Sequence, residues 1–234
     1  MIVNLRRVNK ALLDLLFPPH CVSCRREGTY LCPACDGDIP RVIPPVCELC
    51  GQPVPVSGPC SSCLRDQQPL DGLNIRSAAF FEQALRPAIH AFKYEGIRAL
   101  AESLGQILAE GWRTFRPPGE VIIPVPLHAR RLRQRGYNQS ALLARELSGR
   151  IGVPVLEQAL VRARDTAPQV DLDARQRQVN VEGAFLCCPE QIRGRAVLLV
   201  DDVCTTGATI RACATALYPH EPASVWALTL ARAR

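Results

Sequence analysis

The sequence predicts an α/β domain with a largely parallel sheet, preceded by a small cysteine-rich module. In the second part of the chain, helix-like and strand-like segments alternate, and apolar strands are expected at 121–125, 197–200 and 224–230. Such alternation is typical of α/β folds with parallel strands. Between Pro18 and Pro69, cysteines and prolines replace the long apolar stretches that would build a core. A segment of this composition needs cross-links to fold.

Length and composition place the chain among globular proteins of one or two domains. Its 234 residues are 47% apolar, which is ample for a packed core. Apolar residues at near-helical spacing predict a helix over residues 1–17, before the cysteine-rich module at 18–69 and the α/β domain at 70–234. The N-terminal run ALLDLLF is interrupted by Asp14 and lacks a small-residue cleavage site. We therefore expect no signal peptide, no membrane insertion and a cytoplasmic location.

The basic residues are informative only where they cluster. The formal net charge is +6, and Lys10 and Lys93 are the only lysines. Arginine's planar fork suits phosphate and nucleic acids, but a bias toward arginine over a whole chain is equally typical of coding composition. The run from Arg130 to Arg135 is the informative cluster, because other specific residues follow it directly.

Four Cys-x2-Cys pairs within residues 21–63 predict two zinc sites. Two intervening residues let both thiolates of a pair converge on one tetrahedral ion, and two pairs close a four-thiolate site. Eight thiolates therefore predict two Zn²⁺ ions. Because the protein fills all four positions of each site, these ions would stabilise the module and not catalyse a reaction. The predicted ligands are Cys21, Cys24, Cys32, Cys35, Cys47, Cys50, Cys60 and Cys63.

The same cysteines allow two other interpretations. A disulfide framework requires an oxidising compartment, for which the sequence carries no targeting signal. A thioredoxin-type redox pair would lie at a strand-to-helix junction, whereas these pairs lie in proline-rich loops. The shorter gaps favour one site at Cys21–Cys35 and another at Cys47–Cys63, with interleaved pairing left open. The remaining cysteines lack the spacing and are expected to be small buried hydrophobes: Cys187, Cys188, Cys204 and Cys213.

The stretch VLLVDDVCTTGAT, from Val197 to Thr209, predicts a site for a phosphorylated sugar. Four apolar residues are typical of a strand buried on both faces of a parallel sheet, and ligands bind beyond the carboxyl end of such strands. Asp201 and Asp202 come at that end, and their carboxylates match the two hydroxyl donors of a ribose. Residues 205–209 then turn into a helix whose backbone N–H groups can hold a phosphate. A ribose 5-phosphate fits both halves.

Two other motifs in which a strand ends in acids do not fit. A P-loop ATPase requires a Gly-x4-Gly-Lys-Ser/Thr loop, and neither lysine lies in one. A receiver domain also begins with a strand that ends in paired acids, but the 32 residues after Asp202 are too few for its remaining strands and helices. The alternative without a ligand is an ordinary helix N-cap that happens to follow two acids. It requires the acids, the threonines and the glycine to occur at these spacings by chance.

This stretch resembles the phosphoribosyl pyrophosphate (PRPP) motif of type I phosphoribosyltransferases, and the whole chain resembles the ComF family of competence-related proteins. The second resemblance is carried by the cysteine module, by VPLHARRLRQRGYNQS at 125–140 and by RQRQVNVEGAF at 175–185. It spans roughly residues 18–232. It implies a type I phosphoribosyltransferase-like twisted parallel sheet flanked by helices, preceded by a double zinc ribbon.

The resemblance also implies a role for each residue of the site. Asp201 and Asp202 would bind the ribose hydroxyls, and the loop after them the 5-phosphate. Arg131 and Arg135 would stabilise the diphosphate leaving group, for which clustered guanidinium groups are suited; a solvated basic helix face is the alternative. These four residues are the predicted catalytic set, and Mg²⁺ bound with PRPP would orient the diphosphate. The predicted PRPP-binding set adds Thr205, Thr206, Gly207, Ala208, Thr209, Gly136, Asn138 and Gln139.

Residues 162–180 resemble the mobile loop that closes over the site in this fold. A closing loop would exclude water from a cationic sugar intermediate, although an ordinary surface loop has a similar composition. The residues that match recurring family positions are Arg162, Gln169, Arg177 and Asn180.

Two functional hypotheses follow. In the first, the chain is a phosphoribosyltransferase linked to DNA uptake or nucleotide metabolism. Its acceptor would lie in a variable hood near residues 90–96 and neighbouring segments, including the zinc module. For Lys93, contact with phosphate is one interpretation and a helix-surface position is the commoner one. In the second, it is a nonenzymatic zinc-ribbon adaptor that binds the phosphorylated sugar, or single-stranded DNA through its zinc ribbons and arginines, and serves DNA uptake with a helicase-like partner. The intact acids and phosphate loop favour PRPP binding. Tyr30 is the only aromatic residue between Pro18 and Pro69, which gives base stacking on the ribbons little support.

Overall fold

The computed structural model describes residues 18–65, 72–164 and 183–234. Its α/β domain is built on a four-stranded sheet, with a separate two-stranded sheet beside it. The strands are β1 (Leu73–Phe80), β2 (Val121–Pro124), β3 (Leu160–Arg162), β4 (Phe185–Cys187), β5 (Ala196–Cys204) and β6 (Ser224–Arg232). The large sheet has the order β1-β6-β5-β2 and every neighbouring pair in it is parallel, whereas β3 and β4 pair antiparallel.

Helices cover the sheet and stiffen the cysteine module. Gly111 lets one of them lie directly against β1, because a Cβ at this position would come within 2.6 Å of Ala78 Cβ. The helices are α1 (Pro33–Gly37), α2 (Ser61–Arg65), α3 (Leu85–Tyr94), α4 (Leu100–Phe115), α5 (Ala129–Arg135), α6 (Gln139–Ile151) and α7 (Ala208–Leu217), with short 3-10 helices at Pro189–Gln191 and Tyr218–His220.

The parallel α/β sheet confirms the predicted fold class, and two details differ from the sequence prediction. β1 is a strand that the apolar patterns did not indicate; it contains buried Arg76 and Ser77. β5 does not end before the acids but continues through them to Cys204, because β6 keeps pairing with it as far as Arg232. The acids therefore lie within the paired strand, where the ladder fixes their backbone.

Two apolar cores lie on opposite faces of the sheet, as the alternation of strand side chains requires. Ile122 and Leu198 face the core that contains buried side chains of α3, α4 and α6. Ile123 and Leu199 face the core that contains α7 and the β3–β4 sheet. The sheet is thus the middle layer of three, and both ends of its strands are free to carry loops.

The first group of cysteines is continuous with the core around α3 and α4. Cys21, Leu31 and Ile39 are buried in the same apolar cluster as α3 and α4. The chain that follows runs along the outer edge of β1, where Val42 N donates to Ala78 O at 3.0 Å. The cysteine module is therefore docked on the α/β domain through both side chains and backbone.

Two buried arginines hold the second group of cysteines against the sheet. Arg76 of β1 donates to Glu48 O at 2.9 Å and lies 5.1 Å from the ring of Trp226. Arg232 of β6 donates to Cys50 O at 2.9 Å and also to the Gln52 side chain. Hydrogen bonds to these oxygens help to offset the cost of burying the two guanidinium groups, which are 9% and 4% exposed.

Some predictions fall outside the described residues. These are the helix at 1–17 and the boundary between 69 and 70, so the predicted division of the chain stays a prediction. Within the part that the structure describes, no helix is both long and apolar enough to cross a bilayer.

Candidate functional site

The eight predicted ligands form two four-cysteine clusters, and the pairing favoured by the sequence is confirmed. Within each cluster, all four sulfur atoms lie within 4.8 Å of one another. Cys24 Sγ and Cys32 Sγ are 3.6 Å apart, and Cys50 Sγ and Cys60 Sγ are 3.7 Å apart. A tetrahedron with Zn–S bonds of about 2.3 Å has edges of about 3.8 Å, so both clusters fit the ion. The clusters are Cys21, Cys24, Cys32, Cys35 and Cys47, Cys50, Cys60, Cys63.

Each cluster presents backbone donors to its first cysteine. The N–H of Cys32 donates to Cys21 Sγ at 3.5 Å, and the N–H of Cys60 donates to Cys47 Sγ at 3.2 Å. Burial raises the pKa of Cys21, but these and neighbouring backbone donors outweigh it and lower the pKa to about 6. Donors that favour the thiolate favour metal binding, because the thiolate is the ligand.

The remaining cysteines divide into two pairs. Cys204 and Cys213 are buried, which confirms the sequence interpretation, and burial raises the pKa of Cys204 to about 11. Cys187 is half-buried and Cys188 is exposed, so the interpretation was wrong for this pair. Both cysteines lie at the end of the β3–β4 sheet. This sheet has only three residue pairs, so it is too small to cover both sides of its strands, and side chains at its end stay accessible to solvent.

The aspartate pair is buried between β5 and the helices above it. Asp201 is 8% exposed and Asp202 is 3% exposed. Ser140 Oγ, at the start of α6, donates to Asp201 Oδ1 at 2.8 Å, and the N–H of Asp202 donates to the same oxygen at 2.9 Å. The sequence pattern did not indicate Ser140 as a site residue. The signal that could have indicated it was its position directly after Gln139, at the start of a helix beside the arginine segment.

Lys93 is the second partner that the sequence analysis misplaced. Its Nζ lies 2.8 Å from Asp202 Oδ2, and its side chain is only 19% exposed. The helix-surface interpretation was therefore wrong. α3 turns its last basic residue inward, and this places an ammonium group on one acid of the pair. The two acids and one ammonium group leave a net charge of −1 when all three are ionised.

Burial controls the ionisation of the pair. It raises the pKa of Asp201 to about 7, and the charge of Asp202 acts in the same direction. The Lys93 ammonium group and the Ser140 hydroxyl oppose the rise. Asp201 therefore titrates near neutral pH, in contrast to an ordinary aspartate, and an added cation beside it would favour its ionised form.

The loop after the acids has the geometry of a phosphate cradle. Gly207 has φ +78° and lies at the N-cap of α7, so it takes the left-handed conformation that glycine tolerates best. Thr206 Oγ1 accepts from the N–H of Ala208 at 3.4 Å, while Thr205 is exposed and Thr209 is half-buried. Backbone donors at a helix start, flanked by hydroxyl groups, suit an anion.

The arginine segment folds into α5 and the start of α6. Gly136 ends α5 with φ +78°, and Asn138 caps α6 by accepting from Ser140 N at 3.0 Å. Asn138 Nδ2 also donates to Val125 O at 3.0 Å, which ties the segment to the end of β2. Arg135 and Gln139, four residues apart, are hydrogen-bonded to each other. The segment therefore follows the strand next to β5 and approaches the acids from the side.

A cleft of about 1630 Å³ brings most of the predicted site residues together. Seven of them line it: Asp201, Asp202, Thr205, Thr209, Arg131, Arg135 and Gln139. The other five shape the loops and do not line the cleft: Thr206, Gly207, Ala208, Gly136 and Asn138. Of the predicted closing loop, Arg162 lines the cleft, and its other matched residues lie outside the described residues.

Two family profiles match the chain. Residues 12–64 match the double zinc ribbon domain, and residues 138–234 match the phosphoribosyl transferase domain. The fold and the clusters agree with both matches. The chain is therefore a phosphoribosyltransferase-type α/β domain preceded by a double zinc ribbon.

Relatives of nearly the same length identify the family. DNA utilization protein YhgH of Shigella flexneri is 35% identical over 93% of this chain and 99% of its own length. Competence protein F of Haemophilus influenzae is 32% identical over 90% of this chain and 96% of its own, and competence protein ComFC of Bacillus subtilis is 25% identical over 86% and 84%. The chain belongs to the ComF/YhgH family.

Solved structures are less similar. The glutamine PRPP amidotransferase of Bacillus subtilis, complexed with ADP and GMP, superposes with a TM-score of 0.40 at 19% identity, over 57% of this chain and 26% of that chain.

Proposed function

We propose that this protein binds PRPP together with Mg²⁺ and transfers the phosphoribosyl group to an acceptor. The observation that carries the proposal is the meeting, in one cleft, of a buried aspartate pair, the threonine loop and two arginines. The acids suit a vicinal diol, the loop a phosphate, and the arginines a diphosphate. PRPP carries these three groups on one ribose.

The chain's own residues would act by positioning and electrostatics. Asp201 and Asp202 would accept hydrogen bonds from the ribose hydroxyls and hold the ring, which gains positive charge as the bond to diphosphate lengthens. Arg131 and Arg135 would bind the departing diphosphate, whose negative charge grows in the same step. Lys93 would hold Asp202 in place through the ion pair between them. Loop closure over the cleft would exclude water, which otherwise competes with the acceptor.

The acid pair also fits the proposed metal ion. Mg²⁺ prefers oxygen ligands and is usually held by one or two carboxylates together with substrate phosphates. Asp201 and Asp202 supply such oxygens beside the arginines. When bound, Mg²⁺ would neutralise diphosphate charge and fix its orientation. The raised pKa of Asp201 means that a bound cation would also shift this acid toward its ionised form.

The biological setting is proposed from the names of the relatives. They are called competence proteins and DNA utilization proteins. We therefore place the reaction in the handling of DNA or of the nucleotides derived from it. The nonenzymatic adaptor hypothesis keeps the same PRPP site but requires no turnover.

Isothermal titration of PRPP with Mg²⁺ tests the site. We expect binding by the wild-type protein and its loss in the Asp201→Asn/Asp202→Asn double variant, which keeps the shape of both side chains. Glu102→Gln/Glu190→Gln is the matched control, because it also neutralises two acids, both of which are exposed and neither of which lines the cleft. Circular dichroism would show that all three proteins are folded.

Equal PRPP affinity in the wild-type protein and the aspartate variant would contradict the site. Release of diphosphate from PRPP, measured against a panel of bases, amines and nucleotides, then separates the enzyme from the adaptor. Acceptor-dependent release supports transfer, and tight PRPP binding without release for any acceptor supports the adaptor.

A further inference from the structure

The cleft is larger than one PRPP molecule requires. Sites for single small ligands commonly have volumes of about 300–1,000 Å³, whereas this cleft measures about 1630 Å³. Its lining continues from the acids along α3 to the first zinc ribbon, where Pro19, Val22 and Tyr30 line it as well. The space therefore accommodates a second ligand beside the first.

The walls of this additional space have a definite chemistry. We define the ribbon-side surface as Arg25, Tyr30, Arg86, His90 and Tyr94, all of which line the cleft. It combines three rings with two guanidinium groups. Among the described residues, no carboxylate lies within 4.0 Å of the guanidinium group of Arg25 or Arg86. Aromatic faces next to unneutralised cations are suited to a base that carries phosphate.

Tyr94 is the clearest platform for a base. It is 63% exposed although its ring is large and apolar. His90 lies beside it, with ring centroids 5.1 Å apart, and the Arg135 guanidinium lies 5.3 Å from its ring on the side of the proposed diphosphate site. A base stacked on Tyr94 would therefore lie close to the PRPP site. The ribbons themselves offer a single aromatic residue, Tyr30, and it is α3 that supplies the exposed ring.

Arg25 carries a conformational cost that its counterpart in the second ribbon avoids. The residue after the second cysteine is Arg25 in CVSCR and Gly51 in CELCG, with φ +66° and +71°. This left-handed conformation is unfavourable for every residue but glycine, with small exceptions for Asn and Asp. Glycine is required in the second ribbon, since a Cβ would lie 2.4 Å from Ile75 O. In the first ribbon, a strained arginine points to a functional role for its side chain.

We propose that the ribbon-side surface binds a nucleotide, with its base on Tyr94 and its phosphate at Arg25 and Arg86, while PRPP occupies the acid side of the same cleft. This rests on the proposed function, because PRPP defines the inner ligand. The nucleotide is either free or the end of a single strand, and both present the same base and phosphate. The first zinc ribbon is thereby part of the binding site as well as a structural unit.

The probe is 2′-deoxyadenosine 3′-monophosphate, which has neither the vicinal diol nor the 5′-phosphate that the inner site recognises. Titrated into full-length protein saturated with PRPP and Mg²⁺, it should bind. Tyr94→Ala should weaken binding about tenfold and Tyr94→Phe should restore it. Arg25→Gly should also weaken binding about tenfold while leaving thermal stability equal or higher, because glycine relieves the backbone strain. Arg26→Ala, an exposed neighbour outside the cleft lining, is the matched control.

Competition between the probe and PRPP, or equal binding by Arg25→Gly and the control, overturns the inference and leaves the proposed function intact. Failure of the wild-type protein to bind either the probe or a hexanucleotide with the same 3′ end also overturns it. Tighter binding of the hexanucleotide, with the same loss in Arg25→Gly, identifies a single strand as the ligand; equal affinity identifies a free nucleotide. If the protein binds the probe but never PRPP, both the proposed function and the joint occupancy of the cleft are overturned.

Discussion

Replacing Lys93 with methionine should weaken PRPP binding at neutral and lower pH, and progressively less as the pH rises above neutral. Lys93 Nζ lies 2.8 Å from Asp202 Oδ2, with 19% of the lysine side chain and 5% of the aspartate side chain exposed. Removing one partner of a buried ion pair costs about 3–5 kcal/mol when the other partner stays charged. The acid pair avoids most of this cost if it takes up a proton. The substitution therefore favours the protonated pair, which is the wrong form for two hydroxyl donors.

The size of the effect follows from the ionisation of the pair. Burial and the charge of Asp202 already raise the pKa of Asp201 to about 7, against the opposing effect of Lys93. Without the Lys93 ammonium group, which opposes the rise, this pKa should lie still higher. If uptake of a proton offsets a cost of about 3 kcal/mol, the apparent PRPP affinity at neutral pH should fall by up to about a hundredfold.

The assay is titration of PRPP with Mg²⁺ at pH 6.5, 7, 8 and 9. Lys93→Met should recover most of its affinity between pH 7 and pH 9, whereas the wild-type protein should change little above pH 8. Arg113→Met removes one charge from an exposed position on the neighbouring helix and should follow the wild-type curve. A loss of affinity that is the same at every pH would refute the reasoning, because it would mean that Lys93 contacts PRPP directly and does not act through the acids.

Three further predictions concern stability and metal content. Asp201→Asn should stabilise the fold by about 2–4 kcal/mol at pH 8 and by less at pH 5. Because the pKa of Asp201 is raised in the folded protein, ionising this acid lowers the free energy of unfolding, and the loss grows as the pH rises from about 4 to about 7. Denaturant unfolding of the variant and the wild-type protein at both pH values checks the prediction, and equal stability of the two proteins would contradict it. Elemental analysis should give about two zinc ions per chain, falling to about one in Cys47→Ser; two ions in that variant would contradict the pairing. Arg232→Met should speed zinc release from the second cluster alone, since it removes the donor to Cys50 O; release from both clusters at wild-type rates would contradict the docking role.

The metal clusters and the acid pair could be predicted from the sequence because their residues are close together along the chain. Two thiolates separated by two residues can reach only one ion, and the gap between pairs decides which pairs combine. The same holds for Asp201 and Asp202 with the loop that follows them. For the acids, the structure adds how deeply they are buried and which groups contact them.

The partners of the acids could not be predicted, because they come from distant parts of the chain. Lys93 and Ser140 reach the pair from α3 and α6, and nothing in their local sequence distinguishes them from surface residues. β1 was missed for a related reason: the buried Arg76 breaks its apolar pattern and is satisfied by carbonyls of the second ribbon. Long-range pairing of polar groups is invisible to periodicity, which records only the burial of apolar side chains.

The two ribbons are built from the same Cys-x2-Cys pairs, but they differ at the residue after the first pair of each. At Gly51, the backbone of the second ribbon approaches Ile75 O so closely that no side chain fits, and Arg232 binds the adjacent carbonyl of Cys50. Arg232 belongs to β6, so the second ribbon is fixed to the strand that pairs with β5, which carries the acids. At Arg25 no such approach occurs, so a side chain is sterically allowed despite the strained backbone, and it lies at the cleft. The second cluster is thus anchored to the sheet, and the first holds Arg25 at the cleft where we propose that a nucleotide binds.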